Sequence, residues 1–194
     1  MLKQTLPVCV FAAAFALAGL APVFSQSNDA ASQSAEELTE KFQRQKTRGL
    51  KRVDNDTTSV VVPTTTAEGR TEVAAVAYTQ VEEEDQVNIR IDFDFDSSVL
   101  RTSEKPKLAT LCEAMKTVDV DLFRIVGHTD ATGSDAYNEK LSLLRAEEVK
   151  RFLVNDCGIQ ATRLEAVGMG KRFLLNSEEP AADENRRVEF QALS

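Results

Sequence analysis

The stretch DLFRIVGHTDATGSDAYNEKLSLLRAEEVKRFLVNDCG, residues 121–158, changes its hydrophobic period once, and that change sets the fold class. From Asp121 to His128 the apolar residues alternate, with Phe123, Ile125 and Gly127 on one side, as in a β-strand. From about Ala136 to Asp156 the period becomes helical, and Gly158 stands where a helix C-terminus favours glycine. Between them lies a polar loop, GHTDATGSDAYN. A loop that leaves a strand and enters a helix gathers side chains and free N–H groups around one spot, where function concentrates. Asp135 is the expected N-cap. Thr129, Thr132 and Ser134 are expected to hydrogen-bond within the loop.

The same alternation continues on both sides. Upstream, Val87, Ile89, Ile91, Phe93 and Phe95 form a period-two row and predict a strand over 86–95. Its Asp92, Asp94 and Asp96 also resemble the start of an EF-hand loop. That loop needs a Gly for its turn and a closing bidentate Glu, and those places hold Ser97 and Ser103. The strand reading therefore stands. A helix follows over about 103–117, with Leu108, Leu111, Cys112 and Met115 at helical spacing. Downstream, RLEAVGM (163–169) and RRVEFQA (186–192) give two more short strands. The order β-α-β-α-β-β predicts a two-layer α/β (α+β) sandwich, with both helices on one face of a mixed sheet.

One residue conflicts with the helical pattern of 136–156. Leu141, Leu144, Val149, Phe152 and Leu153 define an apolar arc, and Arg145 falls near its middle. A cation facing a core or its rim requires an anion. Glu148, three residues on, is the ordinary candidate. The alternatives are Asp130 at the end of the preceding strand, or a carboxylate brought by a ligand.

The rest of the chain sets limits. The formal net charge of −8 argues against nucleic acid or anionic lipid as the main partner. With a single histidine, His128, the chain cannot build a site of several His ligands. No cofactor is expected. At the N-terminus, Lys3, an apolar run over 8–24, and the small residues Val23 and Ser25 read as a secretory signal over 1–25, with the mature chain starting near Gln26. The alternative is an uncleaved anchor. Cys9 precedes the apolar core, so no lipobox is formed. In an exported chain the remaining pair, Cys112 and Cys157, is expected to be bridged. Residues 26–79 differ in composition: one short amphipathic helix is expected near Ala35–Thr47, followed by a Thr-rich stretch that reads as a linker. No outer-membrane barrel of its own is expected. The compact unit is read as 80–194.

Taken together, the motifs carry a resemblance. FDFDSSVL (93–100), GHTDATG (127–133), YNEKLSLLRA (137–146), GMG (168–170) and NRRVE (185–189) are similar to the C-terminal peptidoglycan-binding domain of the OmpA family, shared with MotB and the lipoprotein Pal. The resemblance implies a non-catalytic module that holds the cell wall through meso-diaminopimelate of the stem peptide. By motif matching, Asp130 would take the ammonium and Arg145 the neighbouring carboxylate. Phe95, Asp96, Ser97, Thr132, Asn138 and Arg186 or Arg187 would line the groove. It also implies a periplasmic location at the wall and outer membrane. The Pro that follows GxG in the family is delayed here to Pro180. Two other readings are weighed: an envelope scaffold whose segment 26–53 docks a partner protein, and a murein-acting enzyme using His128 and Asp130.

Overall fold

The computed structural model describes residues 29–48, 59–65, 71–94 and 97–193. The expected apolar leader lies outside them, and so do Phe95 and Asp96. The elements are α1 (Ala35–Thr47), β1 (Ser59–Thr65), β2 (Thr71–Ala77), β3 (Val87–Ile89), α2 (Ala109–Thr117), β4 (Leu122–His128), α3 (Asp135–Asn155), β5 (Leu164–Gly170) and β6 (Val188–Leu193). The sheet order is β2-β1-β5-β4-β6-β3. β4 and β5 run parallel, while β4–β6 and β3–β6 are antiparallel. From β3 onward the predicted β-α-β-α-β-β order is found, as a four-stranded mixed sheet with packed helices. Cys112 and Cys157 form the expected disulfide, joining α2 to the end of α3.

Several expectations are corrected. The strand predicted over 86–95 pairs only at Val87–Ile89, opposite Phe190, Glu189 and Val188. Beyond Ile89 its partner β6 has ended, so the ladder stops although the alternation does not. Ile91 remains buried and Phe93 half-buried, while Arg90, Asp92 and Asp94 face solvent. The Thr-rich stretch read as a linker contains the β1–β2 hairpin, which adds to the β5 edge through Thr64 and Thr65. Its runs of Val and Thr lack helical period because they are strand residues. The cap of α3 is Ser134, whose Oγ accepts the Tyr137 N–H at 3.3 Å. Asp135 occupies the first turn, where its charge suits the helix dipole, and it pairs with Lys171 at 3.0 Å.

The helix expected at Ala35–Thr47 forms with a reciprocal cap between Ser34 and Glu37. Leu38, Phe42 and Gln45 share one face and are buried. Leu38 and Phe42 enter the same core as α2, α3 and the inner face of the sheet, and Phe42 meets Phe123 edge-on at 5.2 Å. Gln45 Oε1 accepts the Ala192 N–H of β6 at 2.7 Å, and its amide donates to Asp85 O at 2.8 Å.

α3 lies very close to the sheet. A Cβ on Gly127 would stand 2.1 Å from Ser142 O, and one on Gly168 2.5 Å from Glu139 O. The helix therefore presents small side chains there, Ser142 and Ala146, and its buried face is rotated from the predicted arc. Leu144 is exposed, Leu141 only half-buried, and Arg145 stands at the edge of the face rather than its middle.

The outer face of the sheet is covered as well, although no helix of the described residues lies on it. Glu189 Oε2 accepts Tyr78 Oη–H at 2.8 Å and lies 3.0 Å from His128 Nε2. Gln191 donates to the other oxygen at 2.8 Å, and Arg187 approaches within 3.9 Å. Burial, reinforced by Arg187, pushes the His128 imidazolium down to about 4. Burial would raise the Glu189 carboxyl, but His128, Arg187 and Gln191 hold it below the usual carboxylate value.

Two outcomes follow from this packing. Gly168→Ala should destabilise the chain by about 1–3 kcal/mol in urea unfolding, because the obstructing atoms are helix backbone that cannot rotate away. For His128 the folded pKa lies below the unfolded one, so the unfolded chain binds more protons between them. Stability should be complete above pH 6.5 and decline by up to about 1.4 kcal/mol per unit as pH falls toward 4. Urea midpoints across pH 7.5 to 5 would read this slope directly, because His128 is the chain's one histidine.

Candidate functional site

β4 delivers Thr129 and Asp130 beyond its last residue, and the first turns of α3 cross just above them. The close approach at Gly127 and Gly168 sets this height. Gly170, at φ 55°, lets the chain turn away while its N–H donates to Ser142 Oγ at 2.9 Å and its carbonyl accepts Thr129 N–H at 2.9 Å. The strand ends, the loop and the helix start are thereby joined at one spot.

Asp130 anchors the loop. Its Oδ1 accepts Thr132 N–H at 2.8 Å, and its Oδ2 accepts Arg186 Nη1–H at 2.8 Å. Burial pushes the carboxyl upward, but Arg186 and Thr132 outweigh it and hold it below its ordinary value. Asn138, buried on the first turn of α3, donates its amide to Thr132 O at 2.9 Å and so braces the loop from inside. Arg186 also binds Asp183. Its loop is held by the buried amide of Asn185, which donates to Asn176 O, Glu179 O and Pro180 O. Pro180 O in turn accepts the Ala131 N–H at 2.9 Å. The delayed proline thus closes on the Asp130 loop.

Arg145 lies on the other side of this spot. Its Nε donates to Ser97 O at 3.3 Å, and its guanidinium stacks over Phe93 at 4.8 Å from the ring centre. Burial lowers its pKa, while Tyr137 and Asp130 favour its charge and Arg186 opposes it, so all three lie within electrostatic reach. The ordinary candidate partner is not used. Glu148 binds Arg151 at 2.6 and 2.8 Å and accepts Leu100 N–H at 3.2 Å. Among the described residues no carboxylate forms an ion pair with Arg145.

The structure therefore brings Ser97, Asp130, Thr132, Asn138, Arg145 and Arg186 to one end of the sheet. Arg187 is not among them. Its guanidinium is buried on the outer face, donating to Asn88 Oδ1 and Phe173 O at 3.3 Å. Adjacent residues in extended chain point to opposite sides, so only one of the pair reaches the groove. His128 points the same way as Arg187, closed off from the groove. Sequence reasoning missed Phe93, taken for a core residue, and Asn185, although it heads the NRRVE motif. The aspartates of 92–94 serve as surface ion pairs, Asp92 with Lys107 and Asp94 with Arg101. Among the described residues no group of side chains is arranged to hold a metal ion.

The OmpA family pattern matches residues 92–187. Outer membrane porin F of Pseudomonas fluorescens is 39% identical over 106 residues, covering 54% of this chain and 32% of the relative. Outer membrane protein A of Bordetella avium is 38% identical over 101 residues, covering 51% of this chain and 52% of the relative. The chain thus spans about a third of the first of these relatives and about half of the second. Among solved structures, the OmpA-like domain of FopA1 from Francisella tularensis superposes with a TM-score of 0.48 at 22% identity, covering 56% of this chain and 75% of that one. Residues 92–187, which carry α2, β4, α3, β5 and both Asp130 and Arg145, are an OmpA family domain.

Proposed function

We propose that this chain binds peptidoglycan without covalent bonds, through the free zwitterionic end of meso-diaminopimelate in the stem peptide. The OmpA family is known for peptidoglycan binding and is typically non-catalytic. The observation that carries the finer reading is Arg145. A guanidinium taken partly out of water, stacked on Phe93 and left without a carboxylate among the described residues, is prepared for an anion from outside. Asp130, within its electrostatic reach, supplies the opposite charge. Asp130 accepts from Thr132 and Arg186, and a carboxylate with about four lone-pair sites has capacity left for an ammonium. Ser97, Thr132, Asn138 and Arg186 shape the rim. The location that goes with this function is the periplasm, at the wall and the outer membrane.

The other readings lose support. In the segment 26–53, α1 spends Leu38 and Phe42 on its own core, which removes its apolar face as a docking surface. Acid–base chemistry by His128 would need a substrate to reach a ring that is buried against Glu189.

Hydrogen bonds to charged groups contribute about 1.5–3 kcal/mol. Asp130→Ala and Arg145→Ala should each weaken binding to purified diaminopimelate-type sacculi about 10- to 150-fold, at 1.4 kcal/mol per decade. Walls with lysine in place of diaminopimelate lack the carboxylate. They should bind wild type poorly and distinguish it less from Arg145→Ala than from Asp130→Ala. Binding isotherms on both wall types, with circular dichroism to verify folding, make the measurement. Folded variants that bind diaminopimelate walls like wild type would remove the assignment.

A further inference from the structure

A strand at the end of a sheet carries a row of backbone N–H and C=O groups that another extended chain can pair with, and proteins normally blunt such edges. This sheet ends on β3 at one side and on β2 at the other. The β3 edge is blunted in two ways: the strand is three residues long, and its Asn88 forms a parallel bridge with Asp29. β2 has neither device. It runs for seven residues, TEVAAVA, with no proline and no lysine. Its ladder to β1 is unbroken from Thr71, opposite Thr65, to Ala77, opposite Ser59, so no bulge twists the edge away. The proline of this hairpin, Pro63, stands on β1 opposite Val73, where it does nothing to close the outer side. Among the described residues no strand pairs with the outer edge of β2.

Every second residue of β2 directs its backbone groups away from β1, so the edge is a template for a strand. The sequence of β2 suits a copy of itself. In an antiparallel pair, facing residues must direct their backbone groups alike, so a strand can pair with its own copy only about a residue, never about the gap between two. Centred on Ala74, such a pairing uses the whole of β2. Thr71 falls opposite Ala77, Glu72 opposite Val76, and Val73 opposite Ala75. Glu72, the one charge, never meets its own copy. The position that must face itself holds alanine, small and uncharged.

We infer that β2 is a self-association edge, where a second copy of this chain adds its own β2 antiparallel about a two-fold axis at Ala74 and joins the two sheets into one. The contact lies outside residues 92–187 and does not depend on the wall-binding reading. A single strand pair buries little surface, so the dimer is reversible and forms with rising concentration.

Sedimentation of the full chain should show its mass rise with concentration to twice that of one chain. Ala74→Lys sets like charges opposite each other on the axis and should return the mass to one chain, with circular dichroism unchanged. Cysteine substitution reads the register directly and stands even if the lysine variant loses its hairpin. Facing residues have Cα atoms about 4.5–5.5 Å apart, within reach of a disulfide. Ala74→Cys should therefore cross-link two chains on mild oxidation. Glu72→Cys, about 13 Å along the strand from its own copy, should not. A one-chain mass for wild type at every concentration, a dimer that persists in folded Ala74→Lys, or equal cross-linking at the two positions would overturn the inference.

Discussion

At Gly127 and Gly168 the backbone of α3 lies against the backbones of β4 and β5 with no side chain between them. The contact fixes helix height and rotation together, and turns Ser142, Leu143 and Ala146 toward the sheet. Much else is set by that rotation. Asn138 is turned inward to brace the loop after β4, Ser142 receives the Gly170 N–H, and Arg145 is left at the edge of the packed face. An arginine one turn position further in would need an internal partner, and one further out would be an ordinary surface charge. At the edge it is desolvated enough to want an anion and open enough to receive one.

The two faces of the sheet solve burial differently. The inner face is apolar and shared by all three helices. On the outer face Glu189 gathers Tyr78, His128, Gln191 and Arg187 into a closed polar cluster, with Phe173 packed on the Tyr78 ring. The hydrogen bonds to Glu189 and the Phe173 contact hold residue 78 and the 171–174 turn in defined places, while His128 Nδ1 and Gln191 Oε1 stay buried without a partner among the described residues. Arg187 is drawn to that side, and Arg186 is left to the groove.

Residues that sense only their neighbours in sequence were legible without a structure. The alternating strands, the two long helices, the glycine that ends α3 and the misplaced Arg145 all follow from periodicity. The bridge between Cys112 and Cys157 follows from reading the chain as exported. What depends on a distant partner was not legible. β3 is short because β6 ends, although the 86–95 pattern continues. The hairpin of β1 and β2 was taken for a linker because lack of helical period does not distinguish coil from strand. The apolar arc of α3 was misjudged by hydrophobicity, since the two glycines select small residues for its buried side and leave Leu144 outside. Nothing in the doublet Arg186-Arg187 tells which one reaches the groove. Phe93 reads as core in a period-two row, and only the packing of Arg145 shows its second role.

The placement of α1 has a mechanical consequence. Its Phe42 sits against Phe123 of the central strand, and its Gln45 is hydrogen-bonded to β6. A pull applied at the N-terminal end would therefore load the sheet through a helix whose apolar face is locked into the core. The load would have to strip Leu38 and Phe42 from that core before it reached β3 and the loop that carries Ser97. The groove end of the sheet, tied by Asn138, Asn185 and the α3 contact, lies behind this barrier. An OmpA family domain built this way can yield at its first helix while the Asp130 end of its sheet stays intact.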